Sequence, residues 1–154
     1  MTIKDALYRE FKYGLCGVGG VLHGLVDPTR VKHYLRNRPS ATKKSTEYPY
    51  IVFRRVTKSQ NKVRYTRERV EVEIIGLQAD SKVGDDMLEQ IEEILITYMD
   101  DTTKKWGQFT SSGTPDSTQG LGMTCRHISS VEGYSPEMDE KAHILIFAFY
   151  YLRP

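Results

Sequence analysis

The sequence has no apolar run approaching the roughly 20 residues needed to span a bilayer; its longest, Ile144 to Leu152, is under half that length. It has only two cysteines, Cys16 and Cys125, far apart in the chain, and this argues against a disulfide framework and for two free thiols in a reducing compartment. The first residues, which carry Lys4, Asp5, Arg9 and Glu10, are too charged for the apolar core of a signal peptide. Excess charge of one sign is also missing, since the formal net charge is +2, so the composition as a whole does not describe a dedicated nucleic-acid binder. Apolar residues make up 39% of the chain, low for a self-contained globule, and the ten tyrosines suggest amphipathic surface that neighbours cover.

Recognisable site chemistry is absent as well. Gly17, Gly19 and Gly20 lack a clear preceding strand and a following Gly-Lys-Ser/Thr, so neither a phosphate loop nor a Rossmann turn is spelled out. His23 and His33 have no partners at metal-ligand spacing. Cys125 and His127 share one strand face but offer only two of the four ligands a closed zinc site needs. No nucleophile pair or convergent set of titratable groups is named, so we expect no catalytic residue, no metal, no cofactor and no enzyme activity. The expectation is a soluble protein.

What is present is segregated charge. From Arg30 to Arg69 there are thirteen Lys/Arg against two acids, and from Glu71 to Asp101 ten Asp/Glu against one Lys. Opposed blocks on one small domain suit head-to-tail self-association or an oriented fit to a charged partner.

The length of 154 residues fits one domain, residues 1–154, with a real core. Thr2 with Asp5 resembles a capping box, and Ile3, Ala6, Leu7, Phe11 and Leu15 fall on one stripe, which predicts a helix ending near Gly14. A short strand is expected at Val21–Val26, and Asp27-Pro28 can cap a helical turn through Val31, Tyr34 and Leu35. Exposed loops are expected near 37–47 and 107–120.

Tyr48 to Phe53 reads as a central or near-central strand with Pro49 at its start. In the next strand Val63 and Tyr65 are apolar at odd positions, but Val70, Val72 and Ile74 at even ones. Either a bulge lies near Arg67–Arg69, or the outer hairpin leaves the body as a projecting basic finger. Ser81 or Asp80 can cap an amphipathic helix with Val83, Met87, Leu88, Ile91, Ile94, Leu95, Tyr98 and Met99 inward and the acids outward. Strands follow at Thr124–Tyr134 and His143–Leu152, the latter apolar on both faces. One face of that last strand meets the helices; the other needs a second layer or a neighbouring subunit. The fold class is therefore α+β: a mainly antiparallel sheet under an N-terminal and a central helix, in the order α-β-β-α-β-β.

Two sets of residues are candidates for function. The basic hairpin residues Arg54, Arg55, Lys58, Lys62, Arg64, Arg67 and Arg69 concentrate cations that can meet phosphates or a neighbour's carboxylates. The alternative is a solvated hairpin whose charge resists edge association. Asp85, Asp86, Glu89, Glu92 and Glu93 form the acidic helix face, read as solvated and available to a subunit or partner.

This layout, carried by Thr2-Ile3-Lys4-Asp5-Ala6-Leu7, Pro49-Tyr50-Ile51-Val52-Phe53, and Val70 to Gly76 followed by the acidic helix, resembles the tail-terminator and tail-completion proteins of long-tailed bacteriophages. The resemblance implies a small α+β domain and a hexameric ring that caps the tail tube, stops its polymerisation and faces the head. Its implied partners are further copies of itself, the tail tube protein, the head–tail connector and DNA passing through the lumen without sequence recognition, with no membrane. It implies assembly in the host cytoplasm and a final place in the virion at the head–tail junction. A head-closure or connector-completion protein of the same junction, or a DNA-binding module using the basic hairpin, are the alternatives. This chain departs from the pattern in its long loop between Cys16 and Glu47 and in the Ser/Thr/Gly-rich stretch Thr110–Gly120.

Overall fold

The computed structural model describes residues 2–32, 49–60, 65–77, 81–100, 104–135 and 140–152, with side chains over 2–32, 49–54, 67–74, 85–100, 105–134 and 140–151. The expected loop at 37–47 lies outside the described residues.

Helix α1 spans Ile3–Arg9 and starts from the expected capping box: Asp5 N donates to Thr2 Oγ1, and the Asp5 carboxylate accepts from the Thr2 backbone. The helix does not simply run on to Gly14. From Glu10 to Leu15 it widens into a π-helix closed by Cys16 N donating to the Phe11 carbonyl, and this rotates Glu10 inward with Phe11 and Leu15. The predicted stripe is buried throughout.

Residues 21–26 form turns and not the expected strand; Leu22 N bonds back to the Leu15 carbonyl, which folds the segment against the helix end. Asp27 caps a turn, as expected, by accepting from Thr29 N, but the turn is a single 3-10 turn, Pro28–Arg30. Val31 is already extended, and β1 (Val31–Lys32) pairs in parallel with β2 (Tyr50–Gln60). Pro49 stands just ahead of β2, where its missing donor breaks no ladder bond.

β2 and β3 (Tyr65–Leu77) form a hairpin, α2 (Ser81–Met99) follows, and β4 (Lys104–Trp106), β5 (Leu121–Ser135) and β6 (Glu140–Leu152) complete a six-stranded sheet in the order β1-β2-β3-β6-β5-β4. The fold is α+β, and every pairing except β1–β2 is antiparallel. The phase change has a bulge as its counterpart, but in β2: the register shifts between Arg55, opposite Val70, and Thr57, opposite Arg69. β6 accompanies β3 without a shift from Leu152 opposite Tyr65 to Glu140 opposite Leu77, so β3 stays in the sheet along its whole length.

Alternation divides the sheet into two faces. Ile51, Phe53, Val70, Val72, Ile74, Cys125, Leu145, Phe147 and Phe149 point to the helices and form one cluster with Leu88, Ile91, Leu95 and Met99 of α2 and with α1. Phe11 meets Phe53 edge to face, with centroids 4.9 Å apart. Trp106 of β4 is fully buried beside Tyr98 and Phe149, its indole N–H donating to the Met123 carbonyl at 3.3 Å. On the opposite face Tyr50, Val52, Glu73 and Ala148 are buried, whereas Ile144, Ile146 and Tyr150 are half-buried and Val131 is exposed. Among the described residues no helix is long and apolar enough to cross a membrane.

Candidate functional site

The described arginines of the hairpin and the exposed acids of α2 stand on opposite sides of one sheet. Arg54, Arg67 and Arg69 alternate with the helix-facing residues of β2 and β3, so they lie on the face away from α2. Arg54 Nε is 3.5 Å from Glu73 Oε1. The Arg67 guanidinium lies over the Tyr150 ring, 5.6 Å from its centroid, and its buried Nε has no hydrogen-bond partner. The row across the sheet at Ala148 has Arg69 on one side and Arg126 of β5 on the other. Arg126, which also approaches Asp100 at 3.5 Å, was not part of the sequence-derived set, because its distance in the chain from the hairpin hid the shared row. Glu71 and Glu73 interrupt this cationic face. The side chains of Arg55, Lys58, Lys62 and Arg64 lie outside the described residues.

The acidic helix face divides in two. Asp86, Glu89 and Glu93 are exposed, as the amphipathic pattern indicates. Asp85 and Glu92 are not on the solvated side; both turn toward β6. Lys141 Nζ bonds Asp85 Oδ1 and lies 3.6 Å from Glu132 Oε2. His143, next but one on the same strand, brings Nδ1 to 3.3 Å from Glu92 Oε2, while its Nε2 faces Asp85 Oδ1 at 3.4 Å and Glu132 Oε1 at 3.8 Å. Glu132 and His143 are directly opposite each other in the β5–β6 ladder. The Lys141 bond holds the Asp85 carboxyl below the usual carboxylate range, and the same bond raises Lys141 above the ordinary lysine value.

At the other end of α2 the buried acid Glu10 accepts from two neutral donors. Glu10 Oε1 accepts from the Tyr98 hydroxyl at 2.7 Å and Oε2 from Gly107 N at 2.8 Å. Gly107 has φ +77°, and a Cβ there would stand 2.8 Å from Ala6 Cα, so the contact needs glycine. Residues 107–120 are tied down beside it: Arg9 donates to the Phe109 carbonyl and Gln119 Oε1, and Tyr13 donates to the Ser111 carbonyl.

Both cysteines are buried and outside any disulfide, and burial, with the Asp27 charge adding to it, pushes the Cys16 thiol up to about 12. His127 does not join Cys125 in a ligand pair; its Nε2 lies 2.8 Å from Ser130 Oγ and its ring packs against Phe147.

Compared by sequence, the chain matches no protein-family model and no curated protein. In three dimensions it is similar to a chain of the virion of a native gene transfer agent particle, with a TM-score of 0.57 over 98% of this chain and 95% of that one. At 11% identity the likeness is one of fold.

Proposed function

We propose that this chain is a structural component of a phage-like virion, and within it a ring-forming tail-terminator or tail-completion protein at the head–tail junction. The observation that carries the virion role is the end-to-end fold similarity to a chain of a gene transfer agent virion, which leaves almost nothing of either chain unmatched.

The surface chemistry supports assembly. A cyclic ring is built from heterologous contacts, in which one patch meets a different patch on the next subunit. Arg67 and Arg69 on one side of the sheet, and Asp86, Glu89 and Glu93 on the outer side of α2, are patches of opposite sign that one subunit cannot bring together by itself. The half-buried Ile144 and Ile146 beside exposed Val131 give the open face an apolar component that a neighbour can cover. The action is steric: a ring seated on the last tube ring occupies the surface on which another would add, stops polymerisation and offers the head a different face.

The row of Arg69 and Arg126 with Arg67 beside it supports a second use of the same face, lining a DNA passage without reading sequence. Light scattering and electron microscopy of the purified protein and of particles test the leading reading, with rings at the tail end expected. A protein that stays monomeric and is absent from that position overturns it. Reversing charge at Arg67, at Glu89 and at both separates the two uses. Restored assembly in the double variant supports subunit pairing, and its absence counts against that pairing.

A further inference from the structure

We propose that Asp85, Glu132 and His143 form a binding site for one divalent transition-metal ion of the zinc class, at the junction of α2, β5 and β6. Their ligand atoms all lie within 4.8 Å of one another. The cluster is more than a group of surface acids, because the histidine is built into the fold. Its side chain is 1% exposed, and Nε2 is buried, without a hydrogen-bond partner, and aimed between two carboxylates.

The second ring nitrogen sets the chemistry of the first. Nδ1 meets Glu92 Oε2, and a carboxylate only accepts, so the bond places a proton on Nδ1. With Nδ1 engaged by Glu92, the ring presents Nε2 toward Asp85 and Glu132. A cation held by Nε2 and the two carboxylates would give all three atoms a partner at one point. A carboxylate holding the far nitrogen of a metal-binding imidazole is the usual way in which ring orientation and tautomer are fixed, and it makes Glu92 the positioning residue.

The distances fit. Tetrahedral zinc with bonds near 2.0–2.1 Å separates its donors by roughly 3.3–3.4 Å, against 3.4 Å from Nε2 to Asp85 and 3.8 Å from Nε2 to Glu132. His143 and Glu132 are cross-strand partners and Asp85 belongs to α2, so all three donors come from regular elements. The Glu132 side chain, 59% exposed, opens the fourth position to water. Imidazole among the donors favours zinc, cobalt or nickel over magnesium and calcium. Lys141 is the resident competitor: its ammonium neutralises the carboxylates but leaves Nε2 without a partner, and its long stem lets it swing aside when a doubly charged ion enters.

Calorimetric titration of the full-length, chelator-treated protein with Zn²⁺, with Mg²⁺ as control, tests the site. One Zn²⁺ per chain is expected, with no comparable Mg²⁺ binding. Glu92→Gln should lower the affinity by roughly 10–100-fold as an orienting partner, and Glu132→Gln by at least as much. Lys141→Met should tighten binding, whereas a purely ionic network predicts no gain. Glu132 is exposed enough that its variant folds, which keeps the test decisive. Absence of Zn²⁺ binding, or binding that Glu132→Gln leaves unchanged, overturns the proposal.

Discussion

The two ends of α2 solve the same problem in different ways. Near its C-terminal end, the Glu10 carboxyl group is buried and meets a tyrosine hydroxyl and a backbone amide, two neutral donors held by packing. Toward its N-terminal end, His143 is buried among charged groups, and one of its nitrogens has no partner. In the first arrangement both carboxylate oxygens have donors, and the bonds tie α1, α2 and the 107–120 segment together. The second sets three carboxylates against one ammonium and is incomplete in hydrogen bonding. Completeness marks a group that holds the fold, and incompleteness marks one that can take up something else.

The largest expected effect comes from breaking the Glu10 end. Glu10→Ala leaves the Gly107 amide and the Tyr98 hydroxyl without their shared acceptor and should cost roughly 2–4 kcal/mol in urea unfolding. In a double-mutant cycle with Tyr98→Phe the two losses should be strongly non-additive. A smaller loss, about 1–2 kcal/mol, is expected for Gly107→Ala from its positive φ, and the encroachment on Ala6 adds to it. At the incomplete end, Glu132→Gln without added metal should change stability by no more than about 0.5 kcal/mol, since the side chain is exposed. A loss as large as that at Glu10 would show that both ends are structural.

The smallest effect concerns pH. Bonds from the Thr118 hydroxyl and then its amide hold Asp116 below its ordinary value of 3.8. Because the folded-state value is depressed, the contribution is present above the unfolded value and lost as pH falls through the folded one. Wild-type and Asp116→Ala stability curves should therefore differ at neutral pH and converge at strongly acidic pH.

Much of the framework was legible in the residues. The capping box at Thr2, the buried stripe of α2 and the β-formers of β2 and β6 are local signals that tertiary contacts reinforce. The π-helical widening was not legible, because the same stripe fits either helix and the partners of Glu10 lie about ninety to a hundred residues away. Nor were β1 and β4, whose two and three strand residues are too few to show a period. In the candidate sites, alternation places Arg67 and Arg69 on one face with no knowledge of the neighbour. Which carboxylates of α2 turn inward depends instead on Lys141 and His143, about fifty residues downstream, and no window along the chain contains both.

The central position of β6 has a consequence for how the molecule is made. The β2–β3 hairpin is made well ahead of β6, and its β3 edge waits for the strand that must lie beside it. Until residues 140–152 pair with it, that long edge is open to pairing with any other chain, and this pairing is also the most distant in sequence. Yield on overexpression should depend on how quickly that segment arrives. A synonymous codon block that slows translation just before residue 140 would lengthen the interval of exposure and send more of the product into inclusion bodies.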